Sequence, residues 1–218
     1  MKYKYILFDL DGTVSQSAEG IRASLEHSLS CLGVEPPDLD DYTKYIGPPL
    51  LDTFRNLCGL DEEDADRGAE IYRGYYNEHG KHMNRAYDGV RELLTALKDL
   101  GAKTAVCTSK YEPHAAEILE ILGLRDMFNA VCGSNIDGSR KDKKDLIPYA
   151  VRSLGGMFPQ DAKNAVMLGD TWFDAQGARL CGVDFIGVTY GYGSLEAMRG
   201  QGAEVFADSP EELLALLE

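Results

Sequence analysis

The chain has 218 residues, 44% of them hydrophobic, and a formal net charge of -14 at pH 7, which suits one large domain, or a core with a smaller insert, around a sizeable apolar interior. The acidic excess excludes a nucleic-acid partner held by phosphate neutralisation, and no apolar run approaches the roughly 20 residues that span a bilayer. The five cysteines, Cys31, Cys58, Cys107, Cys132 and Cys181, are scattered, odd in number and free of any Cys-x-x-Cys, the pattern of reduced thiols in a cytoplasm rather than of a disulfide framework or zinc site.

Residues 3–13 read as a buried strand that ends in a turn: Tyr3, Tyr5, Ile6, Leu7 and Phe8 form the strand and Gly12 the turn. No signal-peptide layout precedes it, so a cytoplasmic location is expected. Asp9 and Asp11 stand where the strand gives out, and residues two apart on a strand share a face. Two adjacent carboxylates repel, so the pair calls for a cation; the alternative is an ordinary Asp-Gly turn. Residues 14–17 read as a hinge, with Ser17 as the N-cap of a helix over 18–32 closed by Gly33. Pro36 and Pro37 mark a loop over 35–41, and residues 45–50 a second loop. Leu51, Phe54 and Leu57 mark a helix ended by Gly59, and an acidic-started helix runs over 61–77.

From Asp88 the pattern changes to alternation. Helices are predicted over 90–97, 113–122, 145–154, 175–180 and 211–217, and strands over 103–107, 128–132, 165–168 and 185–189. Such alternation implies an α/β fold, a doubly wound parallel sheet, with an all-helical insertion after the first strand. The division is a core of residues 1–15 and 86–218 and a cap of 16–85.

Ligands of an open parallel sheet sit at the carboxyl ends of its strands. Asp9 and Asp11, Thr108 and Ser109, and Asp170 all fall at such ends, with Asp174 four residues on and Lys143 and Lys144 opening the preceding helix. Few, hard oxygen ligands of this kind suit Mg²⁺. Each residue also has a plainer role: Thr108 as a strand-end cap, Asp170 and Asp174 as helix caps, and Lys143 as part of a solvated charge run.

The set Asp9-Leu-Asp11-Gly12-Thr13, Thr108-Ser109-Lys110, Lys143 and Gly169-Asp170-Thr171-x-x-Asp174 resembles the haloacid dehalogenase superfamily over nearly the whole chain. Residues 46–50 and 191–194 are similar to its phosphoglycolate phosphatase-like branch, which includes 5'-nucleotidases. The resemblance implies a Mg²⁺-dependent phosphatase of small phosphorylated metabolites. It makes Asp9 the nucleophile and Asp11 the general acid/base. Asp9, the Asp11 carbonyl, Asp170 and Asp174 become the metal ligands, and Thr108, Ser109, Gly12, Lys110 and Lys143 the phosphate-holding groups. Gly47 and Arg55 in the cap become readers of the substrate, and a monomer or weak homodimer is expected. A carboxylate at position 11 favours phosphoryl transfer over carbon–halogen cleavage.

Lys144 rivals Lys143 for the phosphate. The four histidines, His27, His79, His82 and His114, match no motif and read as surface or cap residues. Tyr residues of 72–76 read as cap packing, and Trp172 as pocket lining or packing. The chain has Gln16-Ser17 where the branch commonly has Asp-Ser. Pro148 predicts that its helix is distorted, or begins near Asp145. The alternatives in function are a phosphomutase of β-phosphoglucomutase type and a non-catalytic binding protein on the same scaffold. A phosphonatase would require a Schiff-base lysine in the cap, and the context of Lys44 and Lys81 does not suggest one.

Overall fold

The computed structural model describes residues 1–35, 43–137 and 139–218, so the predicted proline loop beyond Glu35 lies outside the described residues. The strands are β1 (Tyr5–Phe8), β2 (Ser15–Gln16), β3 (Arg85–Ala86), β4 (Lys103–Tyr111), β5 (Ala130–Ser134), β6 (Ala165–Gly169), β7 (Asp184–Val188) and β8 (Phe206–Ala207). The helices are α1 (Ala18–Leu32), α2 (Leu50–Asp52), α3 (Glu62–Glu78), α4 (Val90–Asp99), α5 (Glu112–Ile121), α6 (Lys143–Ser153), α7 (Trp172–Cys181), α8 (Leu195–Gly200) and α9 (Pro210–Leu217).

Six strands form a parallel sheet in the order β5-β4-β1-β6-β7-β8. The order reverses at β1, so the crevice beside its carboxyl end is the switch point at which such sheets bind ligands. Phe8 pairs with Val106 on one side and Leu168 on the other, which carries Asp9 and Asp170 to the same edge. Side chains of β1 alternate between faces. Tyr5 and Leu7 pack with Leu146, Ile147 and Val151 of α6, whereas Ile6 and Phe8 join Leu94 and Leu97 of α4 and Ile118 of α5. A strand buried on both faces has no polar alternation, which is why residues 5–8 read as a continuous apolar run.

Helix α1 follows its apolar stripe, burying Ile21, Leu25 and Leu29. Its start differs from expectation. Ser17 occupies the cap position but makes no side-chain cap bond. The hydroxyl of Tyr192, on the far loop after β7, accepts from the Ser17 and Ala18 amides at 2.8 and 3.2 Å instead. The helix expected around Leu51 and Phe54 is one α-turn passing into a π-helical turn, Thr53–Leu57, closed by a Cys58 N–H bond to the Thr53 carbonyl at 3.0 Å. The segment expected as a hinge contributes to an antiparallel ribbon that pairs Ser15 with Ala86 and Gln16 with Arg85. Buried Asn84 locks it: its Oδ1 accepts from Ser15 Oγ at 2.8 Å and its Nδ2 donates to the Tyr76 hydroxyl at 3.0 Å.

Helix α6 corrects one of the two expectations for Pro148, the start near Asp145. The helix starts at Lys143, not Asp145, and runs through the proline to Ser153. Proline has no N–H for the carbonyl four residues back, here that of Lys144. The Cys181 thiol donates to that carbonyl at 3.4 Å, so a neighbouring helix supplies the missing donor.

Candidate active site

The turn after β1 brings the first carboxylates together. The amides of Val14 and Ser15 donate to the Leu10 carbonyl at 3.0 and 2.8 Å, and the Gly12 amide to Ser15 O at 2.9 Å. Gly12 has φ 83, and a Cβ there would lie 2.1 Å from Asp170 Oδ2. Only glycine lets this loop close onto Asp170. The buried Asp170 accepts from the amides of Tyr192 at 2.7 Å and Gly193 at 3.3 Å.

Asp174 does two jobs. Thr171 is the N-cap of α7, and Asp174 Oδ2 accepts from its amide at 3.1 Å and its hydroxyl at 2.6 Å, closing a capping box. Its other oxygen lies 2.6 Å from Lys143 Nζ. The same ammonium lies 2.8 Å from Asp9 Oδ1 and donates to the Cys107 carbonyl at 2.8 Å. Lys143 is buried, whereas Lys144 is exposed beside Asp142; the geometry brings the first of the two rivals to the carboxylates. Close packing of α7 on α6 makes this possible, because a Cβ at Gly177 would lie 2.2 Å from Lys143 Cβ.

Asp9, Asp170 and Asp174 each offer an oxygen within 4.8 Å of the others, and all three are buried. Two of these carboxylates, Asp9 and Asp174, share the one ammonium of Lys143. Burial pushes the Asp9 carboxyl up to about 7 despite Lys143 beside it, with the Asp174 charge adding to the rise. Burial raises Asp170 well above the usual range, helped by the charges of Asp174 and Asp9. Burial works to lower the Lys143 pKa, yet Asp174 and Asp9 hold it above its ordinary value. A buried, all-oxygen set with excess negative charge fits a hard divalent cation such as Mg²⁺.

Asp11 stands apart from this group. Its Oδ2 lies 2.9 Å from Lys110 Nζ, and its buried Oδ1 has no hydrogen-bond partner among the described residues. The Asp11 side chain is therefore outside the acidic trio. The Lys110 ammonium also lies 4.5 Å from the centre of the Tyr76 ring. Burial would lower its pKa, yet Asp11 and the tyrosines hold it above the usual value. Thr108 is buried where β4 loses register, and its Oγ1 accepts from the Lys110 amide at 3.2 Å, which leaves the hydroxyl proton to donate.

Above these groups lies a cleft of about 1060 Å³, open to solvent, with Asp9, Asp11, Thr108, Ser109 and Lys110 on the core side and Gly47 facing them. Gly12 packs against Asp170 instead of lining it. Arg55 is a correction: it is not on the cleft wall but turns to Glu62 at 3.4 Å and Asp66 at 3.5 Å. Acidic residues opening α3 capture it. His114, expected at the surface or in the cap, is on core helix α5 and lines the cleft. No motif signals it. Tyr72, Arg73 and Tyr76 also reach the cleft, so the tyrosines both pack and line; their helical spacing predicts only the packing. Trp172 is exposed and stacks on Phe173, outside this cleft. His27 stacks on Tyr75 within the helical region.

The sequence pattern of the haloacid dehalogenase-like hydrolases matches residues 6–188. A 5'-nucleotidase of Pseudomonas aeruginosa is 40% identical over 199 residues, covering 91% of this chain and 88% of that protein. A phosphoglycolate phosphatase of Agrobacterium fabrum is 33% identical, covering 85% of this chain and 80% of its own. The crystal structure of a predicted phosphatase from Clostridium acetobutylicum aligns with a TM-score of 0.93 at 39% identity, over 100% of this chain and 99% of that one. With the match running from the opening strand past the second pair of carboxylates, this chain belongs to the haloacid dehalogenase-like hydrolase family.

Proposed function

We propose that the protein hydrolyses a phosphate monoester of a small metabolite through an aspartyl-phosphate on Asp9, with Mg²⁺ as cofactor. One observation carries this reading: the Asp9 carboxylate is held 2.8 Å from Lys143 among buried acids, while Asp11, two residues on, keeps its carboxylate separate against Lys110. A nucleophile and a proton carrier need such different surroundings.

An Asp9 oxygen bonds to phosphorus as the ester P–O bond breaks, and Asp11 gives its proton to the departing alkoxide. Asp11 then takes a proton from water, whose oxygen attacks phosphorus and breaks the bond to Asp9, releasing phosphate. Lys143 keeps Asp9 aimed and offers positive charge to the phosphoryl oxygens. The Thr108 hydroxyl and Ser109 amide hold the same oxygens. Asp9, Asp170 and Asp174, with the Asp11 carbonyl, would hold Mg²⁺, which when bound neutralises charge building on the transferred group. Residues 16–85 act as a cap over the core, hinged at the β2–β3 ribbon, excluding water and selecting the leaving group.

The names of the relatives suggest phosphoglycolate or nucleoside monophosphates as substrate classes. The test is phosphate release from both classes and from p-nitrophenyl phosphate, with Mg²⁺ and with chelator. Turnover that needs Mg²⁺ and disappears in Asp9→Asn is expected. Asp9→Asn retaining turnover would end the covalent mechanism.

A further inference from the structure

One residue, Tyr192 in the loop after β7, reaches from the acidic site to the start of α1. Its amide donates to Asp170 Oδ2 at 2.7 Å, and the Gly193 amide donates to the same oxygen at 3.3 Å. Its phenol oxygen, at the far end of the side chain, accepts from the amides of Ser17 at 2.8 Å and Ala18 at 3.2 Å. Between these ends the ring packs against the larger apolar core. The loop has no slack where it meets the acid. A Cβ at Gly191 would collide with Asp170 and with the Gly12 carbonyl, and one at Gly193 with the Asp170 carbonyl. The other Asp170 oxygen accepts from the Thr13 hydroxyl at 3.5 Å, and the Tyr190 hydroxyl donates to the Thr13 carbonyl at 3.2 Å. The loop therefore grips Asp170 directly and also through the turn after β1.

The far end of this span bears on the cleft. Helix α1 buries Ile21 and Leu25, and both line the cleft that holds Asp9 and Asp11. The first amides of a helix have no partner inside it, so an outside acceptor fixes where the helix begins. A close-packed contact transmits a displacement instead of absorbing it. A tyrosine side chain, with two torsions, is rigid enough to carry that displacement to its tip. We propose that Tyr192 is a positioning residue that ties the Asp170 carboxylate to the first turn of α1, so that the placing of Asp170 sets the Ile21 and Leu25 wall of the cleft. The bearing of this tie on turnover rests on the phosphatase reading; the tie itself does not.

The test is hydrogen exchange in chelator, read by mass spectrometry on peptides spanning residues 17–25, with peptides of α4 as the reference for the whole fold. Tyr192→Phe keeps the amide bond to Asp170 and loses only the phenol oxygen. It should quicken exchange at 17–25 about fivefold or more, the weight of one net hydrogen bond, and leave α4 unchanged. Asp170→Ala removes the other anchor and should quicken the same peptides. Asp170→Asn, which keeps an oxygen for the Tyr192 amide, should not. The double variant of Asp170→Ala with Tyr192→Phe should exchange no faster than the faster single variant, because both cut one chain of contacts, whereas independent effects multiply. Unchanged exchange at 17–25 in Tyr192→Phe overturns the proposal, and this arm stands by itself if Asp170→Ala fails to fold. Multiplying effects in the double variant overturn it as well. Mg²⁺ binding is measured alongside by calorimetry. A wild type that takes up no Mg²⁺ yet shows these exchange changes would remove the metal reading of the acidic site and leave the tie standing.

Discussion

Gly177→Ala separates the positioning of Lys143 from the stability of the fold. The added Cβ would lie 2.2 Å from Lys143 Cβ, so α6 and α7 must part by more than an ångström to reach ordinary contact. Overpacking of this kind costs about 1–3 kcal/mol. Replacing a helical glycine by alanine returns about 1 kcal/mol. The net loss of stability is therefore about 0–2 kcal/mol, too small to unfold the protein. The ammonium of Lys143 makes contacts of 2.6, 2.8 and 2.8 Å to Asp174, Asp9 and the Cys107 carbonyl, and these do not survive such a shift together. A misplacement of about 1 Å costs on the order of 100-fold in rate. Urea denaturation and p-nitrophenyl phosphate turnover measure the two effects separately. Gly74→Ala is the control, because a Cβ there meets nothing within 4 Å; it should add about 1 kcal/mol and leave turnover alone. Wild-type turnover in Gly177→Ala would refute the idea that this helix contact aims Lys143.

The β2–β3 ribbon is open to Asn84→Ala, which strips partners from Ser15 Oγ, the Tyr76 hydroxyl and the Lys81 carbonyl; a loss of about 2–4 kcal/mol in denaturant melts is expected, and less than 1 kcal/mol would contradict the lock. Cys181→Ala should cost about 1 kcal/mol by orphaning the Lys144 carbonyl, and this cost should shrink in a Pro148→Ala background, where an N–H is restored; equal costs in both backgrounds argue against the thiol's role. Because burial holds the Asp9 carboxyl at about 7 in the fold against an ordinary 3.8, folded protein keeps a proton that unfolded chain has lost between these values. The metal-free protein should therefore lose stability as pH rises through about 4–7, Asp170 acting in the same direction. Thermal melts in chelator check this, Asp9→Asn should flatten the trend, and a stability that climbs across the window would count against it. Mg²⁺ should restore the melting temperature at pH 8, where the carboxylates are ionised.

What was legible in the sequence is what neighbours in the chain decide. The apolar run of β1, the stripes of α1 and α4, and the carboxylates at strand ends follow from local periodicity, and alternation implies the parallel sheet that gathers those ends. Residue type and spacing also marked Asp9, Asp11, Asp170 and Asp174 as one acidic constellation, though they could not say that the Asp11 side chain turns away to Lys110. The tertiary structure alone decided between Lys143 and Lys144, because that choice is made by the docking of α7 on α6. It also sent Arg55 to Glu62 and Asp66, brought Tyr192 back to cap α1, gave Cys181 to the carbonyl that Pro148 abandons and turned Arg73 and His114 toward one cleft. Each of these partnerships depends on how separate elements pack and on which charges that packing buries. No periodicity within an element encodes it.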